Sequence, residues 1–271
     1  MPNVSPERRY THGFHDSVIR SHRRRTAENS ASYLIPELRA GHRVLDVGSG
    51  AGTITADLAR LVAPGVVTAL ESDPEALRLT ASELAAHNLE SVELVVGDVH
   101  RLPFDDDEFD VVHAHQVLQH VADPVQALRE MARVTRPGGI VAARDADYAG
   151  FTWYPELPEL DRWRELYRRL ARANAGEPEA GRRLLAWAHA AGLGAVTATA
   201  SVWTYADPES RRAWGSSWAD RIRHSRIAEQ AKESGVGDGE LAAIAEGWLA
   251  WADDPDGWIV IPHGEIIARV G

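Results

Sequence analysis

The residues able to do chemistry in this chain fall at intervals, each set directly behind a short apolar run. The first set is Asp46-Val47-Gly48-Ser49-Gly50-Ala51-Gly52, at the end of the run Val44 to Val47. Glycines let the backbone approach a ligand closely and take dihedrals that other residues avoid. A helix starting just beyond them offers unpaired N–H groups. Such a turn on its own suits any nucleotide, but its details narrow the choice. In the dinucleotide fingerprint G-x-G-x-x-G the third glycine would stand where this chain has Thr53, and here it arrives one residue early. Asp46 precedes the first glycine by two residues. A carboxylate there would repel a pyrophosphate and tolerate a ligand with a cationic amino group and no phosphate. Both features disfavour a nucleotide-dependent dehydrogenase.

Glu71 follows the second apolar run, Val66 to Leu70. It lies roughly twenty residues beyond the glycine turn, where a carboxylate can accept both hydroxyls of a ribose. Gly97-Asp98-Val99 follows the third run, Val92 to Val96. A carboxylate beside a base can accept an exocyclic N–H. Taken singly, Asp46 also reads as a helix-cap partner and Asp98 as a turn former. Taken together, three acids at three consecutive strand ends ask for a ligand with ammonium, diol and amino-purine groups. S-adenosylmethionine carries all three.

The elements that must position these residues follow a regular pattern. Ile54, Leu58, Leu61 and Val62 mark one helix face, and Leu77, Ala81 and Leu84 continue a helix that Asp73-Pro74 opens. Phe109 to Val112 reads as a fourth strand. Asp123-Pro124 opens a helix containing Val125, Leu128, Met131 and Val134, Pro137-Gly138-Gly139 breaks it, and Ile140 to Ala143 is a fifth strand. Alternating strands and helices predict a Rossmann-like α/β fold, a mostly parallel sheet with helices on both faces and ligands outside the carboxyl ends of the strands. Val196 to Tyr205 and Ile266 to Val270 bring the strands to seven, with a helical insertion around 207–258 between them. Residues 1–40 read as an N-terminal helical cap, with Tyr33, Leu34 and Leu38 at helical spacing before Gly41. Residues 41–271 then form one domain, a cofactor-binding core over 41–146 and a substrate or lid region over 147–262 inserted before the last strand.

The runs VLDVGSGAG, ALESDPEAL, GDVHRLPF, FDVVHAHQVLQHVADP and RVTRPGGIV, in order and normally spaced over about residues 40–145, resemble the class I S-adenosylmethionine-dependent methyltransferases, within them the ubiquinone/menaquinone-biosynthesis-like branch. The resemblance implies roles. Gly48, Ser49 and Gly50 would line the methionine part of the cofactor, with Asp46 near it. Glu71 would bind the ribose, Ser72 would flank the adenine, and Asp98 with Val99 would hold it. His115 and Gln116 would follow strand four near the sulfonium, His115 being placed to orient or deprotonate a nucleophile because an imidazole titrates in the right range. Relatives often carry Cys where Ser49 stands; Ser is acceptable there because backbone makes most of the contact.

Other features have plainer readings. Asp105-Asp106-Asp107-Glu108 is a solvated acidic turn. His113 and His115 lie at strand spacing while His120 falls on the next turn or helix, so the three need not converge and no metal is expected. The chain lacks cysteine, which excludes disulfides and thiolate sites. Its net charge of −11 disfavours a nucleic-acid partner, and the basic cluster Arg20 to Arg25 reads as a solvated helix face. The opening run MPNVSPERRYTHGF has no apolar signal region and no run is long enough to span a bilayer, so a cytoplasmic protein is expected. About half of the tryptophans at 153, 163, 203, 214, 218, 248, 251 and 258 are expected in a helical core and the rest in an apolar, aromatic substrate pocket. His12, His15 and Arg25 could reach a substrate or the cofactor carboxylate. The expected function is methyl transfer from S-adenosylmethionine to an O, N or C atom of a small organic molecule. Alternatives are a non-transferring S-adenosylmethionine binder of the same fold and a protein or RNA methyltransferase.

Overall fold

The computed structural model describes residues 16–271; His12 and His15 lie outside them. The described N-terminal part is not one helix. It contains α1 (Asp16–His22) and α2 (Ala27–Ser30), then a single 3-10 turn at Ile35–Glu37. Thr26 starts α2 afresh through a capping box with Asn29, and Pro36 gives up the backbone N–H that a longer helix would need. Tyr33, Leu34 and Leu38 therefore share no helix face, yet Leu34 and Leu38 are still buried.

From residue 43 the alternation is as expected: β1 (Arg43–Val47), α3 (Thr53–Val62), β2 (Val66–Glu71), α4 (Pro74–Ala86), β3 (Glu93–Val96), β4 (Phe109–His115), α5 (Pro124–Arg133) and β5 (Thr135–Ala146). These five strands pair in parallel in the order β3-β2-β1-β4-β5. Beyond them come β6 (Thr152–Tyr154), α6 (Pro158–Ala173), α7 (Leu184–Ala190), β7 (Ala195–Tyr205), α8 (Pro208–His224), α9 (Arg226–Glu233), α10 (Asp238–Asp253) and β8 (Trp258–Arg269). β8 pairs antiparallel with β5 over His263–Arg269, with β6 over Trp258–Val260, and with β7 over Ile259–Arg269.

The sheet thus has eight strands among the described residues, one more than the sequence pattern suggests. The addition is β6, only three residues long and too short to show an alternation. The last strand also begins well before Ile266, because Pro262 and Gly264 hide its pattern. Gly264 is required where it stands: a Cβ there would lie 1.9 Å from the carbonyl oxygen of Gly181, which packs against the strand. Leu61, placed on the buried face of α3 by spacing, is 42 % exposed instead.

Three apolar layers hold the fold. On one sheet face Val44, Val67, Val111 and Ile140 pack with Ile54 and Leu58 of α3 and with Leu34 and Leu38. On the other, Leu45, Val112, Val141 and Ile266 pack with Leu128 of α5 and Leu184 of α7. The third lies among α6, α8 and α10, where Trp163 sits edge-on to Trp218 (4.6 Å) and to Trp248 (4.8 Å). Aromatic edges set against faces add to the large area that these rings bury. Trp163→Ala is expected to lower unfolding free energy by about 3–5 kcal/mol, measured by urea denaturation. A loss under about 1 kcal/mol would show that the helical layer is not held by this cluster.

Candidate active site

The glycine turn leaves β1 and is tied at once to its neighbour, Gly48 N donating to the carbonyl oxygen of Leu70 at 2.8 Å. Gly48 has φ +72°, in the left-handed region, and a Cβ there would lie 2.4 Å from Cγ2 of Val117. Only glycine fits both conditions. Asp46 lies beneath the turn and is buried. One carboxylate oxygen accepts the Nδ1–H of His113 (2.9 Å) and the other accepts the hydroxyl of Thr55 in the first turn of α3 (2.6 Å). His113 is the register partner of Asp46 across β1 and β4, so the sheet itself sets this contact. The Asp46 side chain does not line the cavity described next. Neither does that of Ser49, whose hydroxyl meets Thr80 Oγ1 of α4 at 2.9 Å.

A cavity of about 630 Å³ opens over the carboxyl ends of β1, β2, β3 and β4. Gly48, Gly50, Glu71, Ser72, Asp98 and Val99 line one part of it. Glu71 accepts from the backbone N–H groups of Gly50 (2.8 Å) and Ser72 (3.2 Å). Burial pushes its carboxyl up to about 7, against the opposing effect of those two amides. Asp98 accepts from the backbone N–H of His100 at 2.9 Å and contacts its Nδ1 at 2.6 Å.

His115 and Gln116 line the part beyond β4. Both ring nitrogens of His115 are buried without a hydrogen-bond partner. Burial, assisted by the charges of Arg25 and Arg144, holds its pKa well below the usual range, so the imidazole is neutral. Gln116 turns the chain sharply with φ +55°. Its Oε1 accepts from Arg25 (2.8 Å) and its Nε2–H donates to His263 Nε2 (2.8 Å), while His263 Nδ1–H donates to the carbonyl of Ile261 (3.0 Å). A carbonyl can only accept, so the proton of His263 sits on Nδ1 and leaves Nε2 free for the amide. Arg25 is thereby tethered to β8 across the sheet. Beside this chain, Arg144 Nε contacts Ser201 Oγ (3.1 Å) and Glu265 Oε1 (3.2 Å), and the Trp203 ring lies 5.0 Å from the Arg144 guanidinium and 5.7 Å from that of Arg25.

A roof from α1, the end of α6 and the start of α9 brings Val18, Ile19, His22, Asn174 and Arg226 over the cavity. All five fall in the N-terminal segment and the 147–262 region expected to supply a lid; which side chains face the cavity was not legible, because three separate elements must fold together before they meet. His263 escaped for the same reason, its strand being hidden by Pro262. His120 also lines the cavity, hydrogen-bonds Gln119 at 3.0 Å, and is driven down to about 3 by burial. Among the described residues no three metal-ligating side chains converge. No tryptophan lines this cavity among the described residues, but the Trp203 ring stands 5.8 Å from that of His115, which does line it. Trp163, Trp218, Trp248 and Trp251 are fully buried in the helical layer.

A methyltransferase-domain family model matches residues 38–192 of this chain. An uncharacterized methyltransferase of Schizosaccharomyces pombe is 34% identical over 271 aligned residues, 96% of each chain. The ubiquinone/menaquinone biosynthesis C-methyltransferase of Hahella chejuensis is 40% identical, over 38% of this chain and 42% of that protein. The crystal structure of YcgJ from Bacillus subtilis shares the fold, with TM-score 0.58 and 20% identity over 90% of this chain and 99% of that one. The chain belongs to the methyltransferase-domain family. It is an S-adenosylmethionine-dependent methyltransferase on a Rossmann-like α/β sheet.

The residues of the methyltransferase cavity fit that cofactor. The turn at Gly48 can keep its course beside the cavity only because no Cβ is there to strike Val117, and Glu71 keeps lone pairs for a diol beyond its two amide contacts. A carboxyl titrating near pH 7 gives a direct signature. The ionised form accepts two hydroxyl donors and the protonated form loses one acceptor, so affinity should rise as pH increases through about 7. S-adenosylhomocysteine affinity is expected to fall about tenfold from pH 8 to pH 6 through this group, read by calorimetry. Glu71→Gln should bind more weakly and lack that part of the pH dependence. A wild-type profile matching that of Glu71→Gln would remove Glu71 from the binding site.

Proposed function

We propose that this methyltransferase acts on an O, N or C atom of a small organic molecule held between the strand ends and the roof. The observation that carries the reading is the cavity itself, where the glycine turn and Glu71 lie at one end and a neutral, unpartnered imidazole lies at the other under a cover of three helices. About 630 Å³ suits a cofactor and a small acceptor better than a folded macromolecule. The net charge of −11 argues against RNA. No described helix is long and apolar enough to cross a membrane, and with no cysteine to oxidise, a cytoplasmic location is the natural one.

In this reading the backbone of Gly48 and Gly50 lines the methionine part, Ser49 between them anchors the turn to Thr80 and Leu70, and Asp46 acts from below by fixing the turn. Glu71 accepts the ribose hydroxyls. Ser72, Asp98 and Val99 surround the adenine. Arg25, oriented by Gln116 and His263, receives the carboxylate. The cofactor when bound supplies an activated methyl group on a sulfonium. The remaining work is positional: the protein holds the nucleophile in line and keeps water out. His115 would take the proton of an acceptor that arrives as an O–H or N–H. A neutral imidazole is the form that can do this.

The test is incubation with S-adenosylmethionine and a panel of phenols, quinones, amines and carboxylates, products being identified by mass. A product heavier by one methylene, formed with S-adenosylhomocysteine, is the expected result. His115→Ala should cut kcat for an O–H or N–H acceptor about 10²- to 10⁴-fold and leave S-adenosylhomocysteine affinity within a few-fold. Full activity of that variant across the pH range would exclude His115 as the base.

A further inference from the structure

The charges around the cavity are segregated. The acids lining it, Glu71, Asp73 and Asp98, all follow β2 or β3, at the cofactor end. The roof carries His22, Arg25, Asn174 and Arg226, and among the described residues it carries no carboxylate. Between them the walls are uncharged, with Val117 and Val121 beside His115 and His120, and Val18 and Ile19 are apolar members of the roof. Arg226 makes no ion pair among the described residues, whereas Arg223, three positions earlier, pairs with Glu246. Arg226 is exposed and its backbone position is set by the fold: Ser225 caps α9 immediately before it, and Asn174 at the end of α6 donates to Gln230 of α9 at 2.8 Å.

The outer side of α1 repeats the bias. A second cavity of about 400 Å³ between α1 and α8 is lined by Arg20, Arg23 and Arg24 with serines and with Tyr205 and Trp214. Arg20 pairs with Asp220, and Arg23 and Arg24 make no ion pair among the described residues. A chain of net charge −11 thus has arginines from α1 and the residues just after it lining both cavities.

The cofactor has one carboxylate, already matched by Arg25, so Arg226 is a second guanidinium with no anion to meet. An amine acceptor would face the Arg226 guanidinium and a sulfonium of like charge. A neutral acceptor would use none of this arrangement. An acceptor carrying a carboxylate or a phosphate would be drawn toward the mouth by the surrounding field and held by a planar, multidentate donor. We propose that the methyl acceptor is a small anion whose carboxylate or phosphate pairs with Arg226 in the roof, an inference that rests on the methyl-transfer reading above. The anionic group is a spectator; the atom that receives the methyl lies elsewhere on the molecule, beside His115.

The full chain tests this in two ways. With saturating S-adenosylhomocysteine, binding of benzoate, phenyl phosphate, benzamide and benzylamine is compared by calorimetry. The two anions are expected to bind at least tenfold more tightly than the amide or the amine, and the preference should shrink as salt is raised. Arg226→Gln should lower anion affinity about ten- to a hundredfold, as for a lost charge-assisted hydrogen bond, with S-adenosylhomocysteine affinity within twofold. Methyl transfer is then measured on one scaffold offered as carboxylate, phosphate, amide and amine, with kcat/KM following the same order. Equal or better use of the amide or amine, or anion binding that ignores Arg226→Gln, overturns the proposal. A variant that loses S-adenosylhomocysteine affinity instead assigns Arg226 to the cofactor and overturns it too. Absence of S-adenosylhomocysteine binding to the wild-type protein would instead remove the methyl-transfer reading itself, so the two failures are distinguishable.

Discussion

A carboxylate buried at the carboxyl end of a central strand has to be satisfied from within the protein, and Asp46 is satisfied by two different elements at once. His113 reaches it from the neighbouring strand and Thr55 from the first turn of the helix that follows. A buried charge left with one partner missing costs several kcal/mol, so β4 and α3 are both held to β1 at that point. The glycine turn is the chain between these fixed ends. Its course is then decided by the bond from Gly48 to Leu70 and by the closeness of Val117, which leaves no space for a side chain at Gly48. The residue before Val117 is Gln116, so the same packing also fixes the amide that reaches Arg25 and His263.

Strand register carries this constraint across the sheet. His115 stands opposite Arg144, Arg144 opposite Glu265, and Glu265 opposite Thr199. Register partners share a face, so one polar row runs under the cavity from β4 to β7. Farther down the same face the row gives way to Ile140 and Ala142 in the apolar layer. The charged members of the row are buried, and Glu265 is satisfied there by Arg144, Ser201 and Thr199. The row is closed above by Trp203, whose Nε1–H donates to the carbonyl of Asn29 at 2.7 Å and so joins β7 to the N-terminal segment that carries Arg25.

The helical region contributes to the site in a different way from its composition. Its large aromatics face one another, with Trp163 in contact with Tyr148, Phe151, Tyr167, Trp218 and Trp248. That cluster makes α6, α8 and α10 a rigid support. Residues at helix ends, Asn174 and Arg226, then project over the cavity from fixed positions. The aromatic content therefore reports stability, and the few polar residues at the ends of those helices are what the region presents to the cavity.

The sequence by itself determined the cofactor half of this protein. A turn such as Gly48 to Gly52 after a strand, with Glu71 and Asp98 after the next two strands, is local chemistry: each residue needs only its own strand, and parallel strands of similar length bring their ends together. The fold core was legible for the same reason, because strands buried on both faces are apolar without interruption and helices between them are amphipathic. The sequence also marked the N-terminal segment and the 147–262 region as the source of a cover, but tertiary structure alone decided which of their residues meet at the cavity. Gln116 meets His263 across 147 positions of chain, α1 meets the end of α8, and Arg226 meets Asn174 through the packing of two helices. No period or spacing encodes such contacts. Nor could spacing tell a pocket tryptophan from a core one, because an aromatic side chain on a helix face buries equally well against a ligand or against another helix, and only the neighbouring helices chose between them.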